Sequence, residues 1–317
     1  MTTSVLIPHL ADAMVRVTEL AAIAAEKLAG RGDEKAADAA AVDAMRTAFN
    51  AVDFQGRVVI GEGERDEAPM LYIGEEVGTG KGPEIDIALD PLEGTTLTAK
   101  SMANALAVLA IAPRGGLLFA PDTYMDKVAI GPGYPEGIID LDESPADNIK
   151  ALAKFKGVEV SDMTACVLDR RRHEDIIESL RSAGARISLI TDGDVAGVIN
   201  TTNPMTGIDF YVGSGGAPEG VLAAAALKCV GGQMQGRLVF RNDDERKRAD
   251  RTGITDYDKK YDLNGLASGE TVFCATGVTK GGLVDGVTRV GDTIETDTLV
   301  MSSADGMVRK IKSWHKV

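Results

Sequence analysis

Cysteine and histidine are scarce in this chain of 317 residues, which contains three of each. Cys166, Cys229 and Cys274 are far apart and form no CxxC pair, so neither a disulfide framework nor a zinc–thiolate site is predicted. Three histidines are too few for a site built on several imidazoles, and His9 and His315 lie near the chain ends. A metal in this protein is therefore expected to bind oxygen ligands, which suits Mg²⁺ or Mn²⁺.

Long hydrophobic runs and excess positive charge are also absent. The longest uninterrupted apolar run, residues 105–112, has eight residues, whereas a membrane-spanning helix needs about 20. No basic residues open the chain as in a signal peptide. The 34 Lys and Arg are outnumbered by 48 Asp and Glu, giving a net charge of −14, which disfavours nucleic acid or an anionic membrane surface as a partner. We expect a cytoplasmic protein that binds neither nucleic acid nor membrane.

Three common glycine motifs are missing as well. No GxxxxGK[ST] occurs, which disfavours ATP-driven P-loop chemistry, and no GxSxG occurs, which disfavours a serine hydrolase. The run Gly78-Thr79-Gly80-Lys81-Gly82 does not have the GxGxxG spacing of a dinucleotide site. These absences leave carboxylate and glycine clusters as the main candidates for chemistry.

Helix and strand signals differ between the two halves of the chain. In the first half, a helix is predicted over residues 10–29, ended by Gly30, and a second helix over residues 33–50, capped by Asp33. Apolar strands are predicted at residues 57–60, 85–89 and 103–111. Residues 122–140 are rich in glycine and proline and are predicted to form loops and hairpins.

From about residue 145, strand-like and helical runs alternate. The strand-like runs are 164–168, 186–191 and 208–212, and the helical runs are 174–183, 195–199 and 220–229. This alternation predicts a mainly parallel sheet. Residues 241–262 carry many charges of both signs and are interpreted as a solvated helix or loop. We expect an α/β protein with subdomains at 1–145 and 146–317, with some C-terminal strands returning to the first subdomain.

Acidic residues next to glycines follow four of the predicted strands. The most informative run is Asp90-Pro91-Leu92-Glu93-Gly94-Thr95, directly after the strand at 85–89. Pro91 and Gly94 predict a turn that places Asp90 and Glu93 side by side at the carboxyl end of a buried strand, where α/β proteins bind ligands. Two carboxylates so placed can bind one cation or bridge two. For this run alone, an acidic turn without function is an equal alternative.

The other three strand ends carry similar residues. They are Gly61-Glu62-Gly63-Glu64, Asp192-Gly193-Asp194 and Gly213-Ser214-Gly215-Gly216-Ala217-Pro218-Glu219. Each alone fits an ordinary turn or helix cap, but four such strand ends indicate metal-dependent phosphate chemistry, because an acidic protein repels a phosphate ester unless cations intervene. The basic cluster Arg170-Arg171-Arg172-His173 is interpreted as a clamp for a second phosphate, with a positive surface turn as the alternative.

These residues resemble a known family. The run from Asp90 to Thr95 resembles the DPxDGT signature of the lithium-sensitive, metal-dependent sugar and inositol phosphatases, with Glu93 in place of the second Asp. Together with further runs, it makes the chain similar to the class II (GlpX-type) fructose-1,6-bisphosphatases from about residue 10 onward. The further runs are Val59-Ile60-Gly61-Glu62-Gly63-Glu64, Glu67-Ala68-Pro69-Met70-Leu71, Ala120-Pro121-Asp122-Thr123-Tyr124-Met125, Asp192-Gly193-Asp194 and Gly215-Gly216-Ala217-Pro218-Glu219-Gly220.

The resemblance implies a fold, an activity and a set of site residues. The fold is an α/β (α+β layered) five-layered α-β-α-β-α sandwich, assembled as a homodimer or homotetramer. The activity is hydrolysis of the 1-phosphate of fructose-1,6-bisphosphate, a small-molecule sugar bisphosphate, with two or more Mg²⁺ or Mn²⁺ ions per active site. The implied metal ligands are Asp38, Glu62, Asp90, Glu93 and Glu219. The implied catalytic set is Thr95, Glu62 and Asp90, with Thr95 positioning or polarising the attacking water. The implied substrate contacts are Glu93, Gly94, Thr95, Tyr124, Arg170, Arg172, Asp192, Asp194 and Gly216.

The chain departs from the family pattern at two positions. Where members carry Lys in a Gly-Asp-Lys run before the first metal-binding Asp, this chain has Glu34, and Lys35 follows one position later. Because lysine is long and flexible, we expect Lys35 to reach toward the phosphate, with Glu34 as the alternative working residue. At the second position Arg170 replaces a Lys, which keeps the charge but changes its shape.

Three other functions remain open from the sequence. A cyanobacterial branch of the family also hydrolyses sedoheptulose-1,7-bisphosphate, and the motifs do not separate the two activities, so a sedoheptulose bisphosphatase or a dual enzyme is the first alternative. An inositol-type monophosphatase is a more remote one. The last is a non-catalytic cation-binding protein whose acidic turns only sequester metal.

Overall fold

The structure, a computed structural model, describes residues 8–63 and 70–316. Its helices are α1 Pro8–Glu26, α2 Glu34–Phe49, α3 Thr95–Ala99, α4 Pro145–Lys156, α5 Glu174–Ser182, α6 Asp194–Ile199, α7 Ala217–Val230, α8 Asp243–Arg251 and α9 Leu263–Leu266. Its strands are β1 Gln55–Ile60, β2 Glu76–Val77, β3 Glu84–Glu93, β4 Leu106–Pro113, β5 Tyr124–Ile130, β6 Thr164–Leu168, β7 Arg186–Ile190, β8 Phe210–Gly216, β9 Gln233–Val239, β10 Lys260–Asp262, β11 Val272–Gly277, β12 Thr288–Val290, β13 Thr293–Ser302 and β14 Met307–Lys316. The mixed α/β class expected from the sequence is confirmed.

The chain divides into two compact units. Unit 1 comprises the described residues up to Phe119 and from Ala267 onward, and unit 2 comprises Ala120–Leu266. The boundaries between the units therefore lie at 119/120 and 266/267, whereas the boundary expected from the sequence lies at 145/146. The C-terminal strands β11 to β14 pair within the sheet of unit 1, because β11 lies between β4 and β13 and so carries the chain back into the first sheet.

The described residues of unit 1 form an eight-stranded sheet with helices α1 and α2 packed on it. Its strand order is β12-β13-β11-β4-β3-β1-β2, with β14 on the outer side of β13. Met14 of α1, Phe49 of α2 and Ile87 of β3 belong to one buried hydrophobic core. The predicted cap of α2 is confirmed, since the Asp33 side chain accepts a hydrogen bond from Ala36 N at 3.0 Å.

Strand β3 continues through the proline that was expected to end it. It runs from Glu84 to Glu93, so the prediction of a strand over residues 85–89 that is broken at Asp90 and Pro91 is wrong. The parallel ladder with β1 stops at Ala88, and the register with β4 shifts between Asp90 and Glu93. Pro91 is therefore tolerated, because it lies where the ladders require no N–H donor.

Unit 2 is a six-stranded sheet of order β10-β9-β5-β8-β6-β7. Helices α4 and α5 share a buried core with Val128 and Ile130 of β5. Because side chains alternate along a strand, Met125 and Lys127 face the opposite side, and both lie close to Gly220 of α7.

Two predictions for unit 2 are wrong. The sheet is mixed, since β6 is parallel to β7 and β8 but β5 is antiparallel to β8 and β9, and β10 to β9. The expected loops at 122–140 contain the central strand β5, whose residues from Val128 to Ile130 are almost wholly buried. Local glycine and proline content suggested loops, but pairing with two strands distant in sequence decides the conformation of this segment.

No helix within residues 8–63 and 70–316 has both the length and the apolar character needed to cross a membrane.

Candidate active site

In unit 1, two acidic side chains come together at the carboxyl end of β3. Asp90 and Glu93 present carboxylate oxygens within 4.8 Å of one another. On a regular strand, residues three apart point to opposite faces, and the register shift between Asp90 and Glu93 removes that separation. Glu93 is buried, and one oxygen of Asp90 accepts a hydrogen bond from Leu92 N at 3.0 Å. The predicted proximity of these two acids is confirmed, although the strand bulge produces it.

Glu62 and Asp38 add two more carboxylates to the same region of unit 1. Burial, together with the negative charges of Asp38 and Asp90, raises the pKa of Glu62 to about 8. Burial also raises the pKa of Asp38. Three acids that repel one another in a partly buried space are stabilised by a divalent cation. Their oxygen donors fit a hard ion such as Mg²⁺ or Mn²⁺.

Local backbone geometry fixes where Glu62 lies. The Glu62 N–H donates to the Leu71 carbonyl oxygen at 3.0 Å. A Cβ at the preceding residue, Gly61, would lie 2.0 Å from that same oxygen, so only glycine fits there. The glycines around Glu62 thus permit the close approach that the sequence suggested. Glu64 and residues 65–69 of the neighbouring motifs lie outside the described residues.

Thr95 begins helix α3 directly after the acidic pair. Gly94 precedes it with φ of +90°, a left-handed conformation that favours glycine. The next hydroxyl, that of Thr96, donates to the Glu34 carboxylate at 2.9 Å. Lys35, which was expected to reach toward the phosphate, is exposed.

In unit 2, two guanidinium groups lie over one tyrosine ring. The central carbon of Arg172 is 4.8 Å from the Tyr124 ring centroid, and that of Arg241 is 4.6 Å from it. Arg172 is anchored by two hydrogen bonds to the Ser214 carbonyl oxygen, from Nε at 3.0 Å and Nη2 at 2.8 Å. Arg241 is anchored by the Glu245 carboxylate, which accepts from Arg241 Nε at 2.7 Å. The structure thus brings together Tyr124 and Arg172, two of the predicted substrate contacts.

The remaining predicted residues of unit 2 lie at strand ends. Arg170 is exposed and donates from Nη1 to the Asp169 carbonyl oxygen at 3.1 Å. Asp192 is exposed, whereas Asp194, the first residue of α6, is only 6% exposed. Gly216 ends β8, and Glu219 lies in the first turn of α7.

Nearly the whole chain matches one protein family. Residues 8–315 match the family model described as "Bacterial fructose-1,6-bisphosphatase, glpX-encoded". The chain belongs to this family. It is 47% identical over 320 residues to a Prochlorococcus marinus (strain NATL1A) protein named D-fructose 1,6-bisphosphatase class 2/sedoheptulose 1,7-bisphosphatase, covering 96% of each chain. It is 46% identical over 327 residues to a Synechococcus sp. (strain JA-3-3Ab) protein of the same name, covering 95% of this chain and 94% of the relative.

Two residues with notable contacts in the structure were not among the candidate functional residues predicted from the sequence. Arg241 lies in the stretch interpreted as a solvated helix or loop, and its contact with Tyr124 joins residues more than a hundred positions apart. Lys127 is a buried lysine in β5, within the segment predicted to be loops. A lysine directly before the apolar run from Val128 to Ile130 was the available signal.

Proposed function

We propose that this member of the glpX-encoded fructose-1,6-bisphosphatase family hydrolyses the 1-phosphate of fructose-1,6-bisphosphate, giving fructose 6-phosphate and phosphate. The observation that carries the proposal is the cluster of Asp38, Glu62 and Asp90, in which burial and the other two charges raise the pKa of Glu62. Asp90 and Glu93 add a carboxylate pair at the end of β3. These carboxylate oxygens fit a hard divalent cation. An acidic protein needs such a cation to bind and hydrolyse a negatively charged phosphate ester.

The residues proposed to hold Mg²⁺ or Mn²⁺ are Asp38, Glu62, Asp90, Glu93 and Glu219. When bound, such ions neutralise charge on the phosphoryl group and lower the pKa of water. Glu62 has to lose its proton to serve as a ligand, because only the carboxylate binds a metal well.

Thr95 is the proposed positioning hydroxyl for the attacking water. It follows Glu93 by two residues and begins α3, whose entry is set by the left-handed Gly94. A hydroxyl both donates and accepts hydrogen bonds, so it can orient a water while that water loses a proton. Glu93 and Gly94 lie on the same turn and are proposed to contact the substrate.

The proposed contacts of unit 2 with the rest of the substrate are Tyr124, Arg170, Arg172, Asp192, Asp194 and Gly216. Among them, Arg172 is already oriented by Ser214 and by the Tyr124 ring. An oriented guanidinium loses little conformational entropy when it binds a phosphate oxygen. We assign it to the phosphate that is not cleaved.

The deciding experiment measures phosphate release from a panel of sugar phosphates with Mg²⁺, with Mn²⁺ and with a chelator. The expected result is metal-dependent release from fructose-1,6-bisphosphate, lost in Asp90→Asn and Glu93→Gln while the melting temperature stays close to that of the wild type. Asp43→Asn is the matched control, since Asp43 is an exposed acid of α2. Full activity of Asp90→Asn would remove this residue from the site. Metal binding with no release from any substrate would instead leave a non-catalytic cation-binding protein.

Sedoheptulose-1,7-bisphosphate is the second candidate substrate. The relatives from Prochlorococcus and Synechococcus carry both activities in their names. The two substrates present the same reacting end and differ in the length of sugar that follows it, so residues of unit 2 are expected to discriminate between them. Comparing kcat/KM for the two bisphosphates in one preparation tests this alternative.

The assembly and the compartment are proposed from the family resemblance. We propose a homodimer or homotetramer that acts in the cytoplasm in carbohydrate metabolism. Light scattering coupled to size-exclusion chromatography gives the mass of the assembly, and a monomeric mass would contradict the first proposal. Fractionation of the source cells tests the second.

A further inference from the structure

Lys127 is a charged residue almost completely enclosed within unit 2. It is 1% exposed, and its Nζ donates to Asp194 Oδ2 at 2.5 Å and to the Gly216 carbonyl oxygen at 2.8 Å. The Tyr211 hydroxyl lies 3.4 Å from the same Asp194 oxygen. Desolvating an ammonium and a carboxylate costs several kcal/mol per ion and is offset only by close pairing with additional hydrogen bonds. Lys127 has both.

The two partners of Lys127 belong to two different strand-end loops. Asp194 begins α6, next to the exposed Asp192. Gly216 ends β8 and is the cap residue of α7, whose first turn carries Glu219. One side chain of β5 therefore connects the loop that presents a proposed substrate contact with the helix start that presents a proposed metal ligand.

Close packing around the pair leaves little freedom for these loops. A Cβ at Gly215 would lie 2.1 Å from Asp194 Oδ2 and 3.1 Å from Lys127 Nζ, so the ion pair occupies the space that a side chain would need. A Cβ at Gly220 would lie 3.4 Å from Lys127 Cδ. The ion pair thus explains the glycine at position 215, whereas a Cβ at Gly216 would instead lie 1.8 Å from Glu219 Oε2.

Stability alone does not account for this arrangement. Replacing a buried ion pair by apolar residues of similar size is often neutral or stabilising, so such a pair is weak evidence for a stabilising role. It does, however, hold two groups at a fixed distance in a way that apolar contacts do not.

We propose that Lys127 is a positioning residue: it fixes Asp194 and the Gly216 carbonyl group, and thereby the Asp192 turn and the start of α7, without contacting the substrate. Asp194, also a proposed substrate contact, is held in place by Lys127, and the exposed Asp192 lies two residues before it on the same turn. The inference deepens the proposed function, on which it rests for the assignments of Asp192 and Glu219.

The test compares Lys127→Met with the double variant Lys127→Met/Asp194→Asn. The single variant leaves a buried carboxylate without its cation and is expected to melt at a lower temperature. The double variant removes both charges and is expected to regain most of the melting temperature. Its kcat/KM should nevertheless stay at least about tenfold below that of the wild type. A double variant with wild-type activity would overturn the proposal.

Binding of Mn²⁺ without substrate, measured by calorimetry, is the readout that a merely structural pair would not change. The expected result for the double variant is weaker Mn²⁺ binding by at least about fivefold, because the start of α7 is no longer fixed. The matched control is Lys156→Met/Asp209→Asn, which removes another lysine–aspartate pair of unit 2, with Nζ to Oδ1 at 2.6 Å. Equal Mn²⁺ affinities in all these proteins would contradict the proposal.

If the double variant does not fold, Asp194→Asn decides, since it changes one charge and almost no volume. Weakened Mn²⁺ binding in its substrate-free form supports positioning through Lys127, and wild-type Mn²⁺ binding contradicts it. A wild-type protein that releases phosphate from no sugar phosphate would refute the proposed function instead, while the Mn²⁺ measurements would still test Lys127.

Discussion

The carboxylate of Glu34 accepts a hydrogen bond from the hydroxyl of Thr96 at 2.9 Å, linking the first residue of α2 to the first turn of α3. Thr96 is adjacent to Thr95, the proposed positioning hydroxyl. The family resemblance implies a lysine at position 34, and in this chain Glu34 instead accepts a hydrogen bond from the helix that begins at Thr95. Lys35 is exposed.

We expect Glu34→Ala to lower kcat more than Lys35→Met does. Removing a hydrogen bond to a charged group costs about 1.5–3 kcal/mol when the group is shielded from water and less at an exposed position, so a loss of about three- to tenfold is expected. Glu34→Gln retains an acceptor oxygen and should keep most of the activity. Steady-state kinetics of the three variants check this, and a loss of more than about tenfold in Lys35→Met alone would favour the original expectation for Lys35.

Metal binding is expected to depend on pH through Glu62. In the metal-free protein the pKa of Glu62 is about 8, mainly because of burial, so below that pH the folded protein holds a proton that a bound cation must displace. The apparent affinity for Mn²⁺ should therefore rise with pH up to about 8 and then level off, with proton release on binding. Calorimetry in buffers of different ionisation enthalpy measures this release, which Glu62→Gln should reduce and Asp43→Asn should leave unchanged.

The same carboxyl group also links pH to the stability of the metal-free protein. Its pKa is 4.5 in the absence of the fold and about 8 within it, so between these values the folded state binds more protons than the unfolded state. Stability of the metal-free protein should therefore fall as the pH rises through this window. Melting curves in chelator should show this fall in the wild type and a smaller one in Glu62→Gln.

His173 should make the stability depend on pH in the opposite direction. Its Nε2 accepts the Ser214 N–H at 2.8 Å and its Nδ1 lies 2.7 Å from the Leu168 carbonyl oxygen. Burial, aided by the charge of Arg172, lowers the pKa of this imidazole from 6.5. As the pH falls below 6.5 the unfolded chain takes up a proton that the folded protein does not, so stability is lost. Protonation would also remove the acceptor of Ser214.

The measurement is the difference between the melting temperatures of the metal-loaded protein at about pH 7.5 and at about pH 5.5. These two pH values lie on either side of the pKa of a histidine in an unfolded chain. His173→Gln should shrink the difference between the two values. The same difference in the wild type and in His173→Gln would show that His173 does not contribute.

The ring of Tyr124 and its two arginines predict a specific kinetic effect. Arg241→Ala and Arg172→Ala should each raise KM for a sugar bisphosphate by about tenfold or more with a smaller change in kcat, because a charged hydrogen bond to a phosphate is worth about 1.5–3 kcal/mol. Arg246→Ala is the control, since Arg246 lies over Tyr257 at 6.0 Å. With a monophosphate that lacks the uncleaved phosphate, the increases should largely vanish. Equal increases with both substrates would show that the arginines act elsewhere.

The sequence by itself determined the features that depend on neighbouring residues. The cap of α2 at Asp33, the acidic residue that follows β1 and the two acids at the carboxyl end of β3 follow from side chains within a few positions of each other. The predominance of oxygen donors also followed from composition alone, since the chain has only three cysteines and three histidines.

Only the tertiary structure decided which distant residues meet. The glycine and proline content of residues 122–140 predicts loops. Strand β5 forms there because β8 and β9 pair with it, one on each side. Lys127 and Asp194 are 67 positions apart, and nothing near either residue indicates that they pair. The bulge that unites Asp90 and Glu93 arises from pairing with β4. Hydrogen-bonded ladders and buried charges need partners that the fold alone brings together, and local sequence does not name them.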